Sequence, residues 1–209
     1  MSANIRVIWE GLQDAFDSMA ELVIANFLWA LLTIPILTAP ASLAGAYYMT
    51  NLLAHRKPVS WRTFFEGFRR FFWLSWGWAL ANLLVAFVIY SNYVFYQRFG
   101  GSWVAYVQGI VLGVGILWLV LQVYVFPLLI EQEDRRLRIA LRNSFVLLVS
   151  NPGLALILIV LLVLVAGLST ILQVPWLIIT VSFSTFLANW SVLHALESVR
   201  QQQDSMQQE

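Results

Sequence analysis

His55 and His194 are the only imidazoles in a chain of 209 residues that has no cysteine. His194 stands three residues before Glu197, a spacing that sets an imidazole and a carboxylate on one face of a helix. Such a pair can relay protons, or it can be an interfacial hydrogen-bonded pair, which is the commoner outcome. His55 abuts Arg56 and Lys57 and reads as a residue of the membrane interface. Without cysteine there is no disulfide, no thiolate metal site and no sulfur nucleophile. Two histidines are too few for a histidine-rich metal centre. P-loop, GxSxG and HExxH motifs and paired carboxylates are all missing from the sequence. The expectation is a protein that is not an enzyme and holds no cofactor and no metal.

Two other groups of side chains carry the remaining chemistry. Ser182, Thr185 and Asn189 fall on one face of a helix and belong to a larger set of uncharged polar residues that includes Asn26, Thr33, Asn51, Asn82 and Gln122. Within apolar segments such groups join helices through hydrogen bonds of roughly 0.6 kcal/mol, or they line a path for a neutral solute. The second group is basic: Arg62, Arg69 and Arg70 in "HRKPVSWRTFFEGFRRFFW" (55–73), and Arg135, Arg138 and Arg142 in "EDRRLRIALRNSFVLLVSNPG" (133–153). Both stretches mix arginine with aromatic or aliphatic residues, and both predict an interfacial amphipathic helix, with Ser60 capping the first. Their arginines would meet anionic headgroups or dock a partner.

Composition sets the elements that must hold these groups. The chain is 60% hydrophobic and 11% charged, with a mean hydropathy of +0.77, whereas a soluble domain is about 25% charged. Lipid must therefore serve as part of its solvent. A net charge of +1 argues against a nucleic-acid surface. Charged residues are absent from 22–55, 71–97, 99–130 and 143–196. A membrane-spanning helix needs about 20 apolar residues, so the second and third runs hold one span each. The fourth is broken at Asn151–Gly153 and again at Pro175, which predicts spans near Gly153–Leu172 and Pro175–Ser198. In residues 1–21, Ile5, Ile8, Trp9, Leu12, Phe16 and Met19 recur at helical spacing, predicting an amphipathic helix on the membrane or against the bundle. This stretch is net acidic and lacks a small-x-small cleavage site, unlike a cleaved signal.

The first run is too long for one straight helix. At about 1.5 Å per residue, 22–55 would reach about 51 Å, against a hydrocarbon core of about 30 Å. Pro35 and Pro40 sit in its middle, so two short crossings are predicted, Leu22–Leu37 and Pro40–His55. Six crossings with both termini cytoplasmic leave Arg98 as the one Lys or Arg outside, of twelve in the chain; five crossings would move Arg6 outside as well. The expected fold is thus all-α: a polytopic transmembrane bundle of six spans, the first two short and joined by a Pro-containing turn, with an N-terminal and two cytoplasmic amphipathic helices. It forms one integral membrane domain, 1–209, made of the helix 1–21, the bundle 22–199 and a polar tail 200–209. Gly109-xxx-Gly113 predicts close helix approach inside the bundle, or else between protomers; Ala41-xxx-Gly45 is a weaker pair of the same kind.

The run "NFLWALLTIPILTAPASLAGAYYMTNLLAHRKPVSWRTFFEGFRRFFW" resembles the opening of the YesL-like family of small bacterial integral membrane proteins (domain of unknown function 624). In that family an asparagine-and-tryptophan helix runs into a proline hairpin and then a basic loop. "VYVFPLLIEQEDRRLRIALRNSFVLLVSNPG" is similar to the family's second half, including Tyr124–Leu129. The resemblance implies a polytopic helical protein with no known catalytic residues, often encoded beside carbohydrate ABC transporters and polysaccharide-degrading enzymes. It implies a non-catalytic accessory or assembly component of a transport system such as a carbohydrate ABC importer, in a bacterial plasma membrane. Its partners would be the lipid bilayer and either ABC transporter subunits or further copies of itself. The alternative is a small transporter or channel for a neutral solute, built on Ser182, Thr185 and Asn189.

Overall fold

The computed structural model describes residues 3–99 and 101–207, and every element among them is helical. Helix α1 (Ala3–Asp17) meets α2 (Met19–Thr33) at 80°. A short 3-10 turn (Ile36–Thr38) leads into α3 (Ala39–Ala54), and α4 (Trp61–Arg70) is followed closely by α5 (Phe72–Tyr96). Then come α6 (Ser102–Glu131), α7 (Leu137–Ser150), α8 (Pro152–Leu172), a π turn (Trp176–Thr180) and α9 (Val181–Gln207). The all-α bundle expected from the sequence is the observed fold. Helix α9 runs on through most of the polar tail.

Among the described residues four helices are long and apolar enough to cross a membrane, Phe72–Tyr96, Ser102–Glu131, Pro152–Leu172 and Trp176–Ser198, and the bent pair α1 and α2 makes a fifth if it counts as one span. Their limits match the predicted breaks, with Pro152 opening α8, where a missing N–H costs nothing. Helices α2 and α3 hold 15 and 16 residues, about 22–24 Å each. Their turn lies beside the start of α5, because Trp76 Nε1 donates to Leu37 O at 3.1 Å. Helix α5 continues about 30 Å past Trp76. A deep hairpin of this kind and a pair of full crossings give the same parity, so either returns the chain to the side it left.

Helix α3 is the axis of the molecule: nine of its 16 residues are buried. Small residues allow this. A Cβ on Gly45 would stand 2.9 Å from the Phe64 carbonyl oxygen, and a Cβ on Gly67 would overlap Tyr48, so α4 lies directly against α3. Ser60 and Thr63 form a capping box at the start of α4, with the Ser60 N–H donating to Thr63 Oγ1 at 3.2 Å. On the other side of α3 lies α9. The core gathers around Leu22, Phe71, Phe126, Leu129, Leu158, Phe186 and Val192. Phe126 stacks on Tyr47 at 4.9 Å and meets Phe71 and Trp78 edge-on.

Helix α1 packs against α8 and α9, with only part of the predicted apolar stripe turned toward them. Ile8 and Ala15 are buried, while Trp9 and Phe16 are exposed. Gly11 admits the Trp190 indole, whose Nε1 donates to Val7 O at 3.0 Å. The loop after α3 is tied to the same corner. Arg56 has φ of 55°, a conformation glycine adopts more readily. Arg56 N–H bonds to Leu53 O and Lys57 N–H to Leu52 O, closing α3 in a Schellman motif. The guanidinium then reaches Asp14 through two nitrogens, Nε at 3.1 Å and Nη2 at 2.9 Å.

Candidate functional site

Three regions carry chemistry: a polar seam between α3 and α9, a groove between α5 and α6, and an arginine-rich end.

The seam is built from residues that the apolar helices would otherwise exclude. Asn26 is fully buried and serves the π turn. Its Oδ1 accepts the backbone N–H of Val181 at 2.9 Å and of Ser182 at 3.1 Å, and its Nδ2 donates to Trp176 O at 2.9 Å. Backbone freed at a helix break inside a membrane needs partners of this kind. Deeper along the seam, Thr50 Oγ1 contacts Thr185 Oγ1 at 3.2 Å. Asn189 Nδ2 donates to Thr50 Oγ1 and Tyr47 O, both at 3.0 Å. Asn51 follows, 3.4 Å from Asn189 Oδ1 and 2.6 Å from Glu131 Oε1. His55 Nε2 lies 2.8 Å from the same Glu131 oxygen.

Of the three predicted residues on the last span, Thr185 and Asn189 therefore bridge α9 to α3. Ser182 uses its hydroxyl on Ile179 O and its N–H on Asn26. All three are buried, and their hydrogen-bonding capacity is taken up by helix contacts.

At its polar end the seam opens on a cavity of about 300 Å³ lined by Glu10, His55, Arg56, Trp190, His194 and Glu197. Both histidines of the chain thus stand at one site, a juxtaposition that sequence reasoning missed. Among the described residues, His194 uses Nδ1 on Trp190 O at 3.2 Å rather than on Glu197, and its ring lies 4.6 Å from the Trp190 ring. The carboxylate paired with an imidazole is Glu131, on His55. No three His, Asp or Glu side chains among the described residues are grouped to hold a metal ion.

The second region is the α5–α6 hairpin. Ser75 is the one buried residue among the 25 of α5. An apolar groove of about 880 Å³ runs along the hairpin, with Trp78, Asn82, Ala86, Ile89, Gly115 and Trp118 in its walls. Inside it is a small polar knot. Trp118 Nε1 donates to Asn82 Oδ1 at 2.9 Å and Trp78 Nε1 to Gln122 Oε1 at 2.8 Å, while buried Gln122 Nε2 has no partner. Gly109 and Gly113 have nothing within 4 Å of a would-be Cβ. The predicted close approach inside the bundle is therefore not made by this pair. Gly45, from the weaker pair, is the one pressed against a neighbouring helix.

The third region gathers both basic connectors at one end, as the charge pattern predicts: Arg135 Cζ lies 5.1 Å over the Phe71 ring, joining the segment before α7 to the end of α4. Arg62 stacks on Trp61 at 5.3 Å. Arg70 lies 5.9 Å from both Tyr48 and Phe71 and 4.0 Å from Glu66. Arg69 shares an open pocket with them. Arg138 and Arg142 lie in a separate pocket with Arg136.

Comparison with known proteins bears out the resemblance over part of the chain: residues 22–93 match the family described as "Protein of unknown function, DUF624". No curated protein and no solved structure matches the chain.

Proposed function

We propose that this multi-pass membrane protein, whose α2–α5 region carries the DUF624 match, is a non-catalytic accessory component of a transport system. The YesL-like resemblance points to a carbohydrate ABC importer in a bacterial plasma membrane. The observation that carries the reading is the exposed outer part of the α5–α6 hairpin, away from the core-buried end of α6. A span that only has to cross the bilayer needs an apolar surface and nothing more. This one adds a groove, an Asn82–Trp118–Gln122 knot and open glycines at 109 and 113. Polar groups and small residues are what one transmembrane helix presents to another, since apolar surface alone gives no preference for protein over lipid. The occupant is a transmembrane helix of the permease. With an even number of crossings, the arginines gathered at one end support both termini being cytoplasmic.

Affinity purification of the full chain in mild detergent should co-isolate an ABC permease or its ATPase. Filling the groove with Ala86→Trp should abolish that recovery while leaving the protein monodisperse. Repeated isolation of the chain without a transporter subunit would overturn the proposal.

A further inference from the structure

The arginines before and within α7 are disposed unlike those of α4. Arg135 turns inward over Phe71. Arg136, Arg138 and Arg142, with Ile139, line a pocket of about 500 Å³ at the arginine-rich end. No carboxylate lines this pocket, and none of the three forms an ion pair among the described residues. Three arginines around one pocket with no acid among them leave an unbalanced positive potential there, which a bound anion offsets. Their planar forks suit the oxygens of a phosphate, which they can grip through paired N–H donors.

The rest of α7 says where that phosphate comes from. Successive helical residues turn by about 100°, so Arg138, Arg142, Phe145, Val146 and Val149 fall within about 100° of one another. The last three are 49%, 56% and 63% exposed. Ala140, Ser144 and Leu147, on the opposite side, are buried against the body. The outward face of α7 thus changes from cationic to apolar along its length, as a surface does when it lies beside a molecule with a charged head and a hydrocarbon tail. A soluble phosphate ester would have no use for the second half.

We propose that Arg136, Arg138 and Arg142 form a binding site for the phosphodiester headgroup of an anionic phospholipid, with the acyl chains lying along Phe145, Val146 and Val149. This does not depend on the accessory role. The test is native mass spectrometry of the full-length protein offered equal phosphatidylglycerol and phosphatidylcholine. Wild-type protein should retain phosphatidylglycerol over phosphatidylcholine by about tenfold or more. The triple variant R136Q/R138Q/R142Q should lose that preference, and R142Q alone, a change at an exposed position, should reduce it severalfold. A matched R62Q/R69Q variant in α4 should keep it. Undiminished preference in both α7 variants would overturn the proposal. So would complete displacement of the lipid by millimolar inorganic phosphate, which would show a site for the bare anion.

Discussion

Helices α3 and α5 both run through the apolar body of this protein, and they are built on opposite rules. Helix α3 is short, small-residue-rich and polar on its inner faces. It sits so close to α4 that two glycines are needed at the contact. Helix α5 is long, and only Ser75 among its 25 residues is fully buried. In hydrocarbon, apolar surface gains nothing by leaving lipid for protein, so close packing and hydrogen bonds must hold helices together. Helix α3 uses both. Helix α5 uses them mainly near its start, where Trp78 and Asn82 reach Gln122 and Trp118, with a long bond from Gln108 Nε2 to Tyr93 O near its far end. A pair of asparagines extends the contrast to α2, the hairpin partner of α3. Asn26 satisfies backbone groups of another element, whereas Asn92 Nδ2 returns to Val88 O of its own helix.

The largest test of this contrast is that asparagine pair. Asn26→Leu strands two N–H groups and one carbonyl at the π turn, and should cost about 2–3 kcal/mol in reversible unfolding from mixed micelles. Asn92→Leu should stay within about 0.5 kcal/mol. Glycines give the next largest effect. Gly67→Ala drives a methyl into Tyr48 and should destabilise by about 1–3 kcal/mol. Gly113→Ala meets nothing and should be neutral, or stabilising by up to about 1 kcal/mol through helix propensity. Equal effects at the two glycines would erase the distinction between a packed helix and a bare one.

Smaller effects sharpen the picture at the rim. The His55–Glu131 contact is partly open, with side chains 33% and 20% exposed, so solvent screens it. Glu131→Gln should cost about 0.5–1 kcal/mol, and a double-mutant cycle with His55→Ala should return a coupling of that order. Smallest of all is Arg56→Gly. It relieves a left-handed backbone by about 1 kcal/mol and loses an exposed ion pair worth about as much, for a net change near zero. Asp14→Asn loses the pair without the relief and should be the more damaging of the two by thermal unfolding.

Much of this architecture was legible locally. Runs free of charge, closed by Pro152 and Pro175, locate α8 and the last span to within a residue or two, because an apolar stretch and a helix start are both local signals. Arginine placement likewise put the two basic connectors at one end. What escaped was what depends on distant contacts. The sequence pairs His194 with Glu197, but the folded chain gives Glu131 to His55, 76 residues apart, and brings His194 to the same cavity. Asn26 looked like one polar residue among a dozen, and nothing around it announces a π turn 150 residues later. The motif Gly109-xxx-Gly113 was the more conspicuous of two, yet a small-xxx-small spacing shows only that a helix permits close approach, not that a neighbour takes it. Ala41-xxx-Gly45 gains its neighbour because α4 folds back along α3.

The attachment of Asn26, Thr50 and Asn189 across the seam also bears on how the chain is made. A ribosome delivers α2 and α3 long before α9, so their amides and hydroxyls enter the bilayer with their partners still unsynthesised. Until residues 176–190 emerge, the Asn26 amide has to be shielded by water, by the insertion machinery or by temporary neighbours, whereas the Thr50 hydroxyl can rest on Ala46 O of its own helix. The same holds for α1, whose clasp is the Trp190 indole. The bundle can therefore lock only after its final helix arrives, and a product truncated before that point would keep its polar side chains unmatched.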